Sequence, residues 1–308
     1  MNTMRTPFLT IFSAPKPFTK PHIRMIQRNA IQSWLHLGYP VKVILVGDEE
    51  GVHETASEFG VAVISNVARN QEGTPLVSSI FGLAHEASSS TYLAYVNGDI
   101  LLMPDFLEAV ERVANCFKPD HSFLMVGQRW DLQVGKTMEF PGGWEKLFLN
   151  EVKEHGKIHP PAGSDYFVFP RTAFSQIPDF SIGRAGWDNW MIFHARQQGW
   201  PVIDCTASIK VVHQNHDYSH LPGNQPHYDL QESQKNLEIA GGLAYMYMVL
   251  DANYQLVNGH IRPRKIDLLH LIRNMERCVI PQDGNLRSHR GALARRIRKL
   301  RRRLSHEL

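Results

Sequence analysis

Cysteine is scarce in this sequence, and long apolar runs are absent. Among 308 residues there are three cysteines, Cys116, Cys205 and Cys278. They stand far apart and form no Cys-x-x-Cys pair, which argues against a disulfide framework or a thiolate zinc site and fits a reducing compartment. No stretch approaches the roughly 20 consecutive apolar residues of a spanning helix. The segment from Met1 to Thr10 lacks the basic, then apolar, then small-residue succession of a secretory leader, so a cytoplasmic location is expected. There is no internal repeat, and the one low-complexity tract is Ser88-Ser89-Ser90. What is present is ordinary for a globular chain, with 43% hydrophobic and 20% charged residues, enough for one α/β domain or two smaller ones.

The net charge of +3 hides an asymmetry. Residues 262–308 carry 14 Lys+Arg against 4 Asp+Glu, about +10, which leaves the first 261 residues at about −7. The body is mildly acidic and the tail basic, so the overall balance says little about the body's ligands.

Along the body, apolar runs alternate with helical spacing. Strands are expected at Phe8–Phe12, Val41–Val46, Val61–Ile64, Tyr92–Val96, Phe123–Val126, Asp165–Phe169, Pro201–Cys205 and Ile209–Val212. Helices are expected at Pro21–Leu37, Val52–Phe59, Pro75–Ala87, Asp105–Phe117, Trp187–Gln198 and Asn236–Leu250, and loops at Gln128–Gly163 and Tyr218–Tyr228. Strands buried on both faces and separated by helices predict an α/β fold with a mainly parallel sheet covered by helices. Ligands in such sheets bind beyond the carboxyl ends of the strands. Lys16, Asp48 and Asp99 each follow one of these strands.

The segment Thr91-Tyr92-Leu93-Ala94-Tyr95-Val96-Asn97-Gly98-Asp99-Ile100-Leu101-Leu102 is the most telling. A carboxylate set between two apolar runs needs a partner, because an unpaired buried charge is costly. A divalent cation that also holds phosphate oxygens would serve. A bland reading of Asn97-Gly98 is a turn dipeptide.

Three marks, Val96-Asn97-Gly98-Asp99, Gly186-Trp187-Asp188-Asn189 and Val212-His213-Gln214-Asn215-His216, occur in this order on the alternating chain. Together they resemble the GT-A superfamily of nucleotide-diphospho-sugar glycosyltransferases, over roughly Phe8 to Gln214. The resemblance implies a GT-A-like Rossmann-type sheet and a divalent metal, Mn2+ or Mg2+, on the donor diphosphate. It implies Asp99 as metal ligand, with His213 or His216 completing the shell. Asn97 departs from the family's Asp-x-Asp pattern; its amide oxygen can meet a metal or a ribose hydroxyl but brings no charge. Asp188 becomes the base that deprotonates an acceptor hydroxyl, although an Asp there can equally cap a helix. An inverting reaction follows if Asp188 is that base.

On the donor side, Ser13, Ala14 and Lys16 are expected along the nucleoside and Asp48 at base or ribose. Arg69 and Gly73 stand before a helix N-terminus, a natural phosphate site. On the acceptor side the candidates are Trp130, Asp131, Asp165, Trp187 and Asn189, with Gly183 and Gly186 permitting close approach of a ligand. Leu221–Tyr228 is a candidate cover over the donor, or an ordinary surface loop. Residues 1–260 are expected to form the catalytic unit, with the donor half near 1–127 and the acceptor half near 128–260. Residues 261–308 form a basic helical extension. There Leu293, Ile297, Leu300 and Leu304 are spaced 4, 3 and 4 apart among arginines and lysines. That pattern suits an anionic membrane surface; a solvated, disordered tail is the plainer alternative, and no nucleic-acid module accompanies the charge. The rival functions are a non-catalytic carbohydrate- or nucleotide-sugar-binding protein and a sugar nucleotidyltransferase. The latter usually opens on a Gly-rich basic loop, which Ser13-Ala14-Pro15-Lys16-Pro17-Phe18 does not resemble.

Overall fold

The structure is a computed structural model and describes residues 8–118, 120–216, 230–282 and 287–307. In chain order the first half runs β1 (Leu9–Ser13), α1 (Pro21–Leu35), β2 (Val41–Val46), α2 (Val52–Phe59), β3 (Ala62–Ile64), α3 (Val77–Ala87), β4 (Tyr92–Val96), β5 (Ile100–Leu101), α4 (Pro104–Ala114) and β6 (Leu124–Val126). The second half runs β7 (Trp130–Leu132), α5 (Trp144–His155), β8 (Lys157–Ile158), β9 (Tyr166–Pro170), α6 (Trp187–Gln197), β10 (Val202–Asp204), β11 (Val212–Gln214), α7 (Gln231–Ile239), β12 (Tyr254–Val257), β13 (His260–Pro263), α8 (Leu268–Val279) and α9 (His289–Glu307).

The strands join as a nine-stranded sheet, β13-β12-β10-β6-β9-β4-β1-β2-β3, and a four-stranded sheet, β5-β11-β7-β8. In the large sheet β1 pairs in parallel with β2 and β4, while β9 runs antiparallel between β4 and β6. Strands β1, β4 and β9 (LTIFS, YLAYV and YFVFP) are buried along their whole length, as continuous apolar runs require when both faces are covered. Because successive strand residues face opposite ways, Ile11, Leu45 and Ala94 pack with α1 and α4, and Phe12, Ile44 and Tyr95 pack with α3 and α6.

α1 begins with Pro21 at its first turn and places Ile23, Ile26, Ala30 and Trp34 inward. It is tied to the small sheet by Trp34 Nε1, which donates to the Ile100 carbonyl at 2.8 Å. A third apolar cluster, with Leu101, Leu132, Trp144, Phe148 and Val212, fills the space under the small sheet.

Several expectations are corrected. The strand expected over 209–212 is displaced to β11, because Cys205 accepts bonds from the amides of Ser208 and Ile209 and turns the chain first; Ile209 is a buried core side chain in that turn. His213 therefore lies within a strand rather than after one. The helix expected over 236–250 is α7, which ends before Gly241 and Gly242 at φ 92° and 104°, followed by 3-10 turns at Leu243–Tyr245 and Val249–Asp251. α3 starts at Val77 rather than Pro75, since Pro75 and Leu76 bridge to Arg69 and Ser181. The stretch expected to be loop-rich, 128–163, holds β7, α5 and β8. The hairpin β12–β13 turns on Asn258-Gly259, both at positive φ, a dipeptide suited to a tight hairpin that the reading above passed over. The boundary expected at 260 falls at the start of β13. Residues 217–229, with the candidate cover Leu221–Tyr228, lie outside the described residues.

Candidate active site

At the carboxyl end of β4 the chain makes a tight turn. The Ile100 amide donates to the Asn97 carbonyl at 3.1 Å, and the Asn97 amide to the Asp165 carbonyl at 2.9 Å. The middle residue must be small, for a Cβ on Gly98 would stand 3.0 Å from Gln27 Oε1. β5 then pairs with β11 so that His213 sits opposite Ile100, and His216 follows three residues later. One ligand atom each from Asp99, His213 and His216 lies within 4.8 Å of the others. His216 Nε2 is 3.0 Å and His213 Nε2 3.9 Å from Asp99 Oδ2.

Lys16 completes the cluster, with Nζ 3.2 Å from Asp99 Oδ2 and 3.0 Å from His216 Nε2. Its backbone is clamped by Gln27, whose Oε1 accepts from the Lys16 amide at 2.6 Å and whose Nε2 donates to the Lys16 carbonyl at 2.8 Å. Burial alone would push the Asp99 carboxyl up. Lys16, the His216 hydrogen bond and His213 more than offset this and hold it well below the ordinary range. Asp99 is 7% exposed, and its second oxygen, Oδ1, is buried with no hydrogen-bond partner. Such an atom normally finds a partner. A carboxylate oxygen and two imidazole nitrogens turned together, one oxygen still open, suit a divalent cation of the Mn2+ type.

Behind this cluster lies a second polar layer. β11 pairs with β7 so that His213 is opposite Asp131, and His213 Nδ1 is 3.2 Å from Asp131 Oδ1. Asp131 also accepts from Arg129 Nε at 2.8 Å and meets His159 Nδ1 at 2.7 Å. Burial works against its charge, but His159, His213 and Arg129 prevail, and its carboxyl is held far below the usual value. Arg129 Nη1 reaches both oxygens of Asp165, at 2.8 and 2.9 Å. Asp165 in turn accepts from Asn97 Nδ2 at 2.8 Å. A polar circuit thus leads from Asp99 through His213, Asp131, Arg129 and Asp165 back to Asn97.

Asp188 stands in the first turn of α6, which is capped by Gly186 at φ 109° and not by the Asp188 side chain. Burial pushes its carboxyl up to about 6, and the negative charge of Asp165 adds to this. A Cβ on Gly163 would lie 3.8 Å from Asp188 Oδ2, so the backbone there leaves the carboxyl uncrowded.

The structure brings Lys16, Asn97, Asp99, Asp131, Asp165, His213 and His216 into one connected site. Ser13, fully buried, points an unpartnered Oγ near Gly98, and Ala14 packs against the core. Asp48 and Arg69 form an ion pair, and Arg69 also donates to Glu49 Oε1 and the Gly73 carbonyl. The Val77 amide at the start of α3 donates to the Phe180 carbonyl, so one of the amides at that helix end is already used. The ring of Trp187 is 5% exposed and wedged among Phe81, Tyr95 and Phe167, where it packs the core instead of offering a face to a sugar. Trp130 borders the third apolar cluster. Asn189 Nδ2 donates to the carbonyls of Ala162 and Tyr247 and joins α6 to both loops.

Sequence reasoning missed Gln27, Arg129 and His159. Gln27 sits on the buried face of α1, where a polar residue is unusual, a signal that was there to be used. Arg129, immediately before β7, is two residues from Asp131, the spacing at which an extended chain turns side chains the same way. His159 carried no signal at all.

No family model matches this sequence, and no curated protein matches it. Among solved structures, the chain is similar to glucosyl-3-phosphoglycerate synthase from Mycobacterium tuberculosis in complex with Mn2+, uridine diphosphate and glucosyl-3-phosphoglycerate, at 12% identity, covering 86% of this chain and 89% of that one, with a TM-score of 0.45. It is similar to S. aureus TarS in complex with UDP-GlcNAc at 10% identity, 76% and 72% coverage and TM-score 0.46. It is also similar to a mannosyltransferase from Pyrobaculum calidifontis in complex with GDP-Man and Mn2+, at 12% identity, 70% and 59% coverage and TM-score 0.42. At TM-scores below 0.5 these likenesses assign no residue a role. The strand order decides the architecture, with β3-β2-β1-β4 parallel, β9 reversed beside β4, and the Asp99 turn leaving the carboxyl end of β4. The fold is the helix-covered, mainly parallel α/β sheet expected from the sequence.

Proposed function

We propose that this chain is a metal-dependent glycosyltransferase that moves a sugar from a nucleotide-diphosphate donor to a hydroxyl acceptor with inversion. The observation that carries this reading is the convergence of Asp99, His213 and His216 beyond the carboxyl end of β4, with Asp99 Oδ1 left open. A divalent cation held there would neutralise charge on the leaving diphosphate. Lys16, fixed by Gln27, presents an ammonium beside the same oxygens, where it can turn from Asp99 to a phosphate. Asp165, which accepts from Asn97, lines the adjoining edge and orients the acceptor. Asp188 takes the proton from the acceptor hydroxyl. With its carboxyl pushed up to about 6, it is largely ionised near pH 7 yet a stronger base than an ordinary aspartate. The C-terminal helices complete the list of partners with an anionic lipid surface.

Thermal unfolding with nucleoside diphosphates and nucleotide sugars, each with and without Mn2+, tests the site. A ligand of the native state at ~100 times its dissociation constant stabilises by about 2.7 kcal/mol. A shift that needs both metal and one nucleotide, lost in Asp99→Asn, is expected, together with turnover of the matching sugar nucleotide. A shift without any turnover would favour the non-catalytic binding protein, and pyrophosphate release from a nucleoside triphosphate would favour the nucleotidyltransferase.

A further inference from the structure

Large apolar side chains left in water are unevenly distributed. Among the described residues, Ile266, Leu268, Leu271, Met275, Leu293 and Leu300 are 64%, 61%, 53%, 58%, 47% and 49% exposed, whereas the described residues before Ile266 contribute only Tyr39, Leu147, Ile158 and Ile239. On α8, Leu268, Leu271 and Met275 are spaced 3 and 4 apart, so they form one stripe. On α9, Leu293, Ile297, Leu300 and Leu304 form another. The two helices pack on each other, and the contact is locked by Glu276 of α8, which accepts from Arg298 Nε at 2.7 Å and Arg301 Nε at 2.8 Å of α9. That lock consumes two of α9's arginines. Arg295, Arg296, Lys299, Arg302 and Arg303 stay on exposed faces of α9, and Arg262 and Lys265 precede α8. No helix among the described residues is long and apolar enough to cross a membrane.

We infer that α8 and α9 together form a docking face for an anionic lipid bilayer, with Leu268, Leu271, Met275, Leu293 and Leu300 entering the headgroup–acyl boundary and the exposed arginines and lysines meeting lipid phosphates. The inference rests on the lipid partner proposed above and is independent of the transferase chemistry. Charge complementarity selects the occupant. Apolar stripes flanked by exposed cations, which outnumber the one exposed carboxylate beside them, Asp267, fit a surface that is apolar below and anionic above. A second copy of this chain would bring the same positive charge against itself. α8 also changes the geometry expected from the sequence, since Leu268, Leu271 and Met275 come from a helix other than the strongly basic last one.

The test is co-sedimentation of the full chain with vesicles of phosphatidylcholine alone and of equal parts phosphatidylcholine and phosphatidylglycerol. Binding to the anionic vesicles only is expected, weakening with salt. The exposed pair Leu271→Glu/Met275→Glu should abolish it, while Arg296→Ala and Lys299→Ala should each weaken it about fivefold, at ~1 kcal/mol per basic residue near the surface. A cooperative melting curve for each variant, and retention of binding by Asp99→Asn, separate this face from folding and from the active site. No binding to anionic vesicles overturns the inference. So does binding that the α8 pair leaves unchanged, which would assign a purely ionic surface. A concentration-dependent dimer broken by the α8 pair, with no vesicle binding, would assign the face to a second copy.

Discussion

The buried carboxylates of Glu276 and Asp99 are both surrounded by cations, and their surroundings have opposite purposes. Glu276 is fully buried beside Arg273, Arg298 and Arg301. Burial would push its carboxyl up, but Arg273 and Arg301 prevail and hold it below the ordinary value; each of its oxygens has a guanidinium partner. Asp99 faces one ammonium and two imidazoles, all through the same oxygen, and keeps the other unpartnered. The first carboxylate is saturated by arginines, which stay charged under any ordinary condition, and it fastens two helices. The second is served by groups that can yield a lone pair or move away. A saturated buried charge is a fastening, and one with an open oxygen is a site.

Glu276→Ala should show the largest effect. It strands Arg301 in a buried position, while Arg273 keeps Asp251, and is expected to cost about 3–5 kcal/mol, read as a lower denaturant midpoint with loss of the α8–α9 contact. Asp99→Asn is the converse. We expect a loss of stability well short of that in Glu276→Ala, while kcat falls roughly a hundred- to a thousandfold and the Mn2+-dependent thermal shift disappears. Equal destabilisation by the two substitutions would erase the distinction between fastening and site.

A smaller effect is expected behind the site. Asp131→Asn should weaken Mn2+ binding by about ten- to a hundredfold in calorimetry, because His213 loses the carboxylate that sets its orientation. Arg129→Lys should reproduce part of this, since an ammonium cannot serve Asp131 and Asp165 in the same forked geometry.

The smallest effect concerns pH and Asp188. A carboxyl raised to about 6 in the folded chain, from about 3.9 unfolded, favours the protonated native state. Its contribution to stability is present below the unfolded value and is lost as pH rises through about 6. Asp188→Asn should therefore leave the melting temperature unchanged near pH 4 and raise it slightly near pH 8. Turnover of the parent should rise with pH through the same region, and the variant should bind donor yet lack that rise. Loss of donor binding in Asp188→Asn would remove the base assignment.

Legibility in the sequence followed physical range. Strands β1, β2 and β4 were readable because both faces are covered, so the apolar run is continuous and local. Helices α1, α2 and α6 were readable from spacing and glycine stops. β11 was misplaced by about two residues because Ile209 and Val211 are buried without being strand, and burial alone does not distinguish the two. α8 was missed since its inward positions are His270, Arg273 and Glu276; a helix that buries charges breaks the apolar period used to find it. Asp131 and Asp165 were named as acceptor contacts, and Arg129 joins both to the cluster in a way no spacing could show. Arg69 was read as a phosphate partner, and only the fold reveals that Asp48 and Glu49 already hold it.

The sequence by itself determined the alternation of buried strands and amphipathic helices, the turn at Asn97-Gly98-Asp99 and the basic charge of the last helix. Those are properties of a few neighbouring residues, and side-chain period, turn chemistry and charge are carried locally. Tertiary structure alone decided that the Asp99 turn meets His213 and His216, more than a hundred residues away, and that Lys16 is clamped between them. It also decided that two of the last helix's arginines are spent inside on Glu276. Which groups share a low-dielectric space depends on strand order and register, and there the energy of a charge is set by its partners and not by its place in the chain.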